Sequence, residues 1–133
     1  MSFLLDTNVW IAYLKDPNSP IRTKLQSQAA ADIATCSIVR AELMHGAQKY
    51  GNTQRRVQLV ETTLAPFVSY EFEDADADVY ATIRDQLERA GQIIGPYDLQ
   101  IAAVALRRQL TVVTSNTGEF SRVSGLVIED WSI

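Results

Sequence analysis

Phe3-Leu4-Leu5-Asp6-Thr7-Asn8-Val9-Trp10-Ile11-Ala12-Tyr13-Leu14 is the stretch that decides the fold. Its opening apolar run is too short for a helix and suits a buried strand. The run stops at an acid, and Thr7 and Asn8 supply helix-capping side chains. Val9, Ile11, Ala12 and Leu14 then recur at helical spacing. A strand that turns directly into a helix is the repeating unit of an α/β domain.

The same unit recurs downstream. Asp16-Pro17-Asn18-Ser19-Pro20 reads as a turn, and Pro20 suits the first position of a helix over about Ile21 to Ala30. Ala34-Thr35-Cys36 reads as a second strand. Ser37 follows as the cap of a helix carrying Ile38, Ala41, Leu43 and Met44 and ending near Gly51. A further helix spans Thr53 to Leu64, and Pro66 to Tyr70 gives a third strand. Glu73-Asp74-Ala75-Asp76 puts acids in the first turn of a long helix with Val79, Ile83 and Leu87 on its apolar side and Gly91 as its stop. Asp74, Asp76 and Asp78 are read as structural acids that cap and solvate that helix. Pro96 and Asp98 open the next helix, patterned by Leu99, Ala102, Ala103 and Leu106. Leu110-Thr111-Val112-Val113-Thr114 is the clearest strand, and Leu126-Val127-Ile128 a short last one. No repeat, linker or composition break divides residues 1–133. The expectation is a single α/β domain, with a central parallel sheet of about four to five strands flanked by α-helices.

Composition narrows the function classes. The formal net charge is −4, which counts mildly against nucleic acid, because unspecific phosphate affinity comes from excess Lys and Arg. Arg55-Arg56 and Arg107-Arg108 are read as surface solvation, with phosphate steering as the alternative. The lone cysteine, Cys36, is read as core and cannot form an internal disulfide, in keeping with a reducing compartment. No apolar run approaches the roughly 20 residues of a membrane span, and Asp6 interrupts any signal-peptide core. A cytoplasmic protein away from membranes is expected. Trp10 and Trp131 are read as packing at the edge of the domain.

The chemistry lies in four segments that the β/α alternation brings to one edge of the sheet. Asp6 closes the first strand, and Glu42 lies about one turn into the helix after the second. Asp98 opens the helix before the fourth strand, and Ser115-Asn116-Thr117-Gly118-Glu119 follows it. Gathered carboxylates repel one another unless a cation shares them, and their hard oxygens suit Mg²⁺ or Mn²⁺. Such an ion lowers the pKa of bound water and stabilises charge on a phosphoryl oxygen, so phosphodiester hydrolysis matches the equipment. Each acid also has a structural reading: Asp6 and Asp98 as caps, Glu42 as an exposed helical residue. His45 is the only histidine, so neither a histidine metal site nor a Ser-His-Asp triad can form. No GxGxxG or P-loop pattern occurs.

Leu5-Asp6-Thr7-Asn8, Glu42-Leu43 with Gly46, Gly95-Pro96-Tyr97-Asp98, and Val113-Thr114-Ser115-Asn116 with Glu119-Phe120 resemble, in order and spacing, the PIN-domain ribonucleases. More narrowly they look like the VapC toxins of bacterial toxin–antitoxin pairs. The resemblance implies a PIN-like fold over the whole chain and an acidic pocket for Mg²⁺, with Mn²⁺ able to substitute. It assigns Asp6, Glu42 and Asp98 as metal ligands, and these with Glu119 as the catalytic acids. Thr7, Asn116 and Ser115 are the supporting residues. Many members carry an aspartate where this chain has Asn116, so Glu119 is expected to supply the last acid and one ion to be held tightly. The implied activity is an endoribonuclease toxin that cuts RNA, transfer RNA at the anticodon loop being the favoured target, and thereby stops translation. The implied partners are a neutralising antitoxin and a second copy in a homodimer. The competing reading is a PIN-fold module that binds RNA or protein with little catalysis. A haloacid-dehalogenase-type phosphatase would need a second Asp where Asn8 stands, and a receiver domain would need a lysine at the end of the late strand.

Overall fold

The computed structural model describes residues 1–133. Five parallel strands form one sheet: β1 (Phe3–Leu5), β2 (Ile33–Cys36), β3 (Val68–Tyr70), β4 (Thr111–Val113) and β5 (Ile128–Glu129). Seven helices connect them: α1 (Thr7–Lys15), α2 (Pro20–Gln26), α3 (Ser37–Lys49), α4 (Thr53–Leu64), α5 (Asp74–Arg89), α6 (Pro96–Arg108) and α7 (Thr117–Phe120). The parallel α/β sheet flanked by helices expected from the alternation is what forms.

The strand order is β3-β2-β1-β4-β5. Leu4, Leu5, Val112 and Val113 are fully buried because helices cover both faces of the central strands. The chain builds outward from β1 on one side, then crosses to β4 and builds on the other. Loops therefore part at the carboxyl ends of β1 and β4 and open a crevice there. Leu5 pairs with Val113, which sets Asp6 beside Thr114 at that crevice.

Local differences from the sequence reading have physical causes. α2 stops at Gln26, not Ala30, because the Ser27 hydroxyl turns back to the Lys24 carbonyl and Ala29 is extended. β5 pairs as Val112 with Ile128 and Val113 with Glu129, so it starts two residues later than its apolar run, after a turn at Gly125 with φ +83°. Ser37 is the first residue of α3 and not its cap, which falls on Cys36. α7 was not anticipated: four residues are too few to show a period. Trp10 lies in the core and not at its edge, completely buried with its ring centroid 5.5 Å from that of Phe67.

Asp76 and the arginine pair also differ from expectation. Asp76 is completely buried on α5, and its Oδ1 accepts from Arg107 Nε and Arg108 Nη1 of α6, both at 2.7 Å. Its Oδ2 accepts the Glu73 backbone N–H at 2.8 Å. Arg108 is nearly buried and stacks on Tyr70 with 4.6 Å between guanidinium carbon and ring centroid. These residues are an internal brace between α5 and α6. Burial alone would raise the Asp76 pKa, but bonds from Arg108, the Glu73 N–H and Arg107 outweigh it and hold the carboxyl below its ordinary value.

Candidate active site

Asp6 leaves β1 at the crevice and is almost fully buried. Its Oδ1 caps α1 by accepting the Val9 N–H at 3.0 Å, and its Oδ2 accepts the Thr114 hydroxyl at 2.5 Å. The capping reading and the site reading are thus both satisfied, one oxygen each. Burial pushes the Asp6 carboxyl above its ordinary pKa. Thr114 and the Val9 N–H oppose that rise, and the Glu42 charge adds to it.

Thr7 and Glu42 form the next link. Thr7 Oγ1 donates to Glu42 Oε1 at 2.7 Å, joining the first turn of α1 to the second turn of α3. Glu42 is half-buried there.

Asp98 occupies the first turn of α6, whose N-terminus points to the same edge of the sheet. It does not cap its helix. The α6 cap is Gly95, whose N–H donates to Glu119 Oε1 at 3.3 Å. Asp98 Oδ2 instead accepts from Asn116 Nδ2 at 3.0 Å, and the same amide donates to Glu119 Oε2. Burial, a bond shared with Glu119 and the charges of Glu119 and Asp6 push the Asp98 carboxyl up to about 6, with Asn116 working the other way. Glu119 is held below its ordinary value, chiefly by the Asn116 amide. Of this pair, Asp98 is the one that takes up a proton first as pH falls.

The structure brings Asp6, Thr7, Glu42, Asp98, Asn116 and Glu119 to one edge. Ser115 is exposed and stands apart. Thr114 was missed as a site residue. Completely buried, it donates to Asp6 and accepts the Asn116 N–H at 2.9 Å. Drawing the β1–β4 pairing from sequence would have set it opposite Asp6.

The donor set fits a divalent cation. Four carboxylates supply hard oxygens, and none takes part in an ion pair with Lys or Arg. Below about pH 6 Asp98 relieves the crowding by taking up a proton. As the side chains stand, no three acids are grouped closely enough to grip one ion.

A groove of about 1040 Å³ runs from Thr7 and Glu42 between α1, α3 and α4. Its lining is mainly apolar, with Ile11, Leu14, Ile38, Leu43, Leu59 and Val60, and includes Lys15, Lys49, Arg56 and Tyr97. Asp6, Asp98 and Glu119 are not among its lining residues, so the groove leads toward the acids and does not enclose them.

The sequence profile described as "PIN domain" matches residues 3–126. The chain is 34% identical to the tRNA(fMet)-specific endonuclease VapC of Shigella flexneri over 99% of both chains. It is 35% identical to the enzyme of the same name from Salmonella typhimurium over 98% of both. The DNA-bound VapBC structure from Salmonella typhimurium superposes with a TM-score of 0.92 at 35% identity, covering 98% of each chain.

Proposed function

The chain belongs to the PIN domain family, and on that footing we propose that it is a metal-dependent endoribonuclease toxin that cuts transfer RNA and is neutralised by an antitoxin. The observation that carries this reading is the gathering of Asp6, Glu42, Asp98 and Glu119 at the β1/β4 crevice with no ion pair to quench them. Two relatives that match almost end to end are named tRNA(fMet)-specific endonucleases, so tRNA(fMet) is the first RNA to try. Anticodon loops expose bases that a shallow site can grip.

Asp6, Glu42 and Asp98 are the residues to hold Mg²⁺, or Mn²⁺ in its place. The ion supplies Lewis acidity for attack of water on the phosphodiester. Thr7 keeps Glu42 turned to the site, and Thr114 does the same for Asp6. Asn116 lends no charge, but its amide keeps Glu119 ionised and so able to accept a proton. A partner that silences the enzyme must cover these carboxylates, and an Arg side chain offers them a charge-assisted, bidentate pairing. The homodimer belongs to the same proposal. No helix is long and apolar enough to cross a membrane.

Induction of the chain in growing bacteria tests the substrate. Translation is expected to stop, with tRNA(fMet) fragments ending in the anticodon loop, and Asp98→Asn to produce neither. Intact tRNA in cells that accumulate folded protein would remove transfer RNA as the target.

A further inference from the structure

We infer that Arg122 grips a backbone phosphate of the RNA beside the cut and so holds the strand against the acidic site. The inference rests on the nuclease reading and adds a contact that the carboxylates themselves cannot make.

A site built of carboxylates repels the polyanion it has to receive. A cation at its rim offsets that repulsion, yet several of the chain's cations are committed elsewhere. Arg107 and Arg108 brace α5 to α6, while Arg84 and Arg89 pair with Glu88 and Asp85 along α5.

Arg122 is placed differently. It lies just past α7, and its backbone N–H donates to the Glu119 carbonyl at 3.0 Å. Completely buried Phe120 fixes that turn in the core. Arg122 Nη1 donates to the Ile93 carbonyl at 2.9 Å. Two residues on, the Gly95 N–H donates to Glu119 Oε1 at 3.3 Å. These bonds tie the same two segments together, so guanidinium and carboxylate project from one junction. Arg122 forms no ion pair, but its charge reaches Glu119 and helps to hold that carboxyl below its ordinary value.

The side chain is exposed, and Nη1 is its only nitrogen with a protein acceptor. Nε and Nη2 form the edge of the fork that takes two phosphate oxygens at once. A tether to one carbonyl needs a single donor and no charge. A guanidinium already anchored at one corner gives up less freedom when it closes on a phosphate.

The test measures binding of a fluorescein-labelled tRNA(fMet) anticodon stem-loop to the Asp6→Asn chain by anisotropy in EDTA. Further stem-loops carry one uncharged methylphosphonate linkage each, and Arg122→Gln and Arg122→Lys are added to the same background. One linkage is expected to cost the chain with Arg122 about tenfold, the lower end for a charged hydrogen bond. Arg122→Gln is expected to bind the unmodified RNA about tenfold more weakly and to ignore that linkage. Its salt slope should be shallower by about one counterion. Arg122→Lys keeps the charge without the fork, so the slope stays and the loss is about threefold. Weaker binding in Arg122→Gln with an unchanged slope overturns the contact and leaves only a loop tether. Should Arg122→Gln fail to melt as a folded chain, a shallower slope in Arg122→Lys overturns the contact equally. Absence of binding by the chain with Arg122 intact overturns it as well.

Cleavage by otherwise wild-type chains in Mg²⁺ separates this contact from the nuclease reading. Arg122→Gln is expected to raise KM about tenfold with kcat nearly unchanged, because the phosphate is held alike before and during the reaction. Binding that depends on Arg122 without cleavage by any chain sinks the nuclease and keeps the contact. A wild-type KM in Arg122→Gln sinks the contact and keeps the nuclease.

Discussion

Thr114 Oγ1 donates to Asp6 Oδ2 across 2.5 Å, and so joins two residues 108 positions apart at the point where β1 and β4 end side by side. The hydroxyl is the only side-chain donor to the buried Asp6, and its oxygen also accepts the Asn116 N–H.

Thr114→Val keeps the shape and removes both bonds. A buried carboxylate oxygen left without its donor costs about 1–3 kcal/mol. Denaturant melts in EDTA are expected to register that loss. RNA cleavage is expected to fall about 10- to 100-fold, as for loss of a residue that orients a metal ligand. Unchanged melts and activity would show that Asp6 needs no such support.

Asp76→Asn breaks the brace between α5 and α6 and leaves Arg107 and Arg108 facing a neutral amide. The expected cost is about 3–5 kcal/mol, against no more than about 0.5 kcal/mol for Asp78→Asn on the exposed side of the same helix. The folded-state pKa of Asp76 is depressed, so its contribution is present above the ordinary carboxylate value of 3.8 and is lost as pH falls through the lower folded value. Acid melts of wild type and Asp76→Asn are therefore expected to converge below pH 3.8.

Asp98 carries the opposite sign. Its folded-state pKa is raised from 3.8 to about 6, so the metal-free chain is stabilised below 3.8 and loses that contribution as pH rises through about 6. Asp98→Asn removes the titration. In EDTA, wild type is expected to lose stability relative to Asp98→Asn between these two values and to run parallel to it above them. A constant difference across the range would show that Asp98 is not crowded by Glu119 and Asp6.

Asn116→Asp replaces the amide that bridges Asp98 and Glu119 with a third carboxylate. Repulsion is expected to lower the melting temperature in EDTA, and Mg²⁺ to raise it by more than in wild type, because a more acidic site binds the ion more tightly. An equal Mg²⁺ response in both chains would place position 116 outside the ion's reach.

The parts of the site that were legible in sequence are those carried by local pattern. Asp6 and Asp98 stand at strand and helix ends that apolar period and Pro96 announce, so their meeting followed once the alternation was read. Thr114 was illegible because its role depends on the register of β4 against β1, which no local window contains. Asp76 was taken for one of three solvating acids because a helix's first turn favours acids whether buried or not. Only the packing of α5 on α6 turns this one inward to Arg107 and Arg108. Arg56 was noticed as half of a basic pair, but only the packing of α3 and α4 sets it along one groove with Lys49.

The central claim is that these acids cut RNA with a divalent ion, and one experiment meets it directly. The purified chain and its Asp6→Asn variant are incubated with total bacterial RNA in Mg²⁺, in Mn²⁺ and in EDTA, and the fragment ends are sequenced. The account predicts discrete cuts in transfer RNA that need both the ion and Asp6. Intact RNA in every lane from folded protein, or cuts that persist in EDTA or in Asp6→Asn, would contradict it.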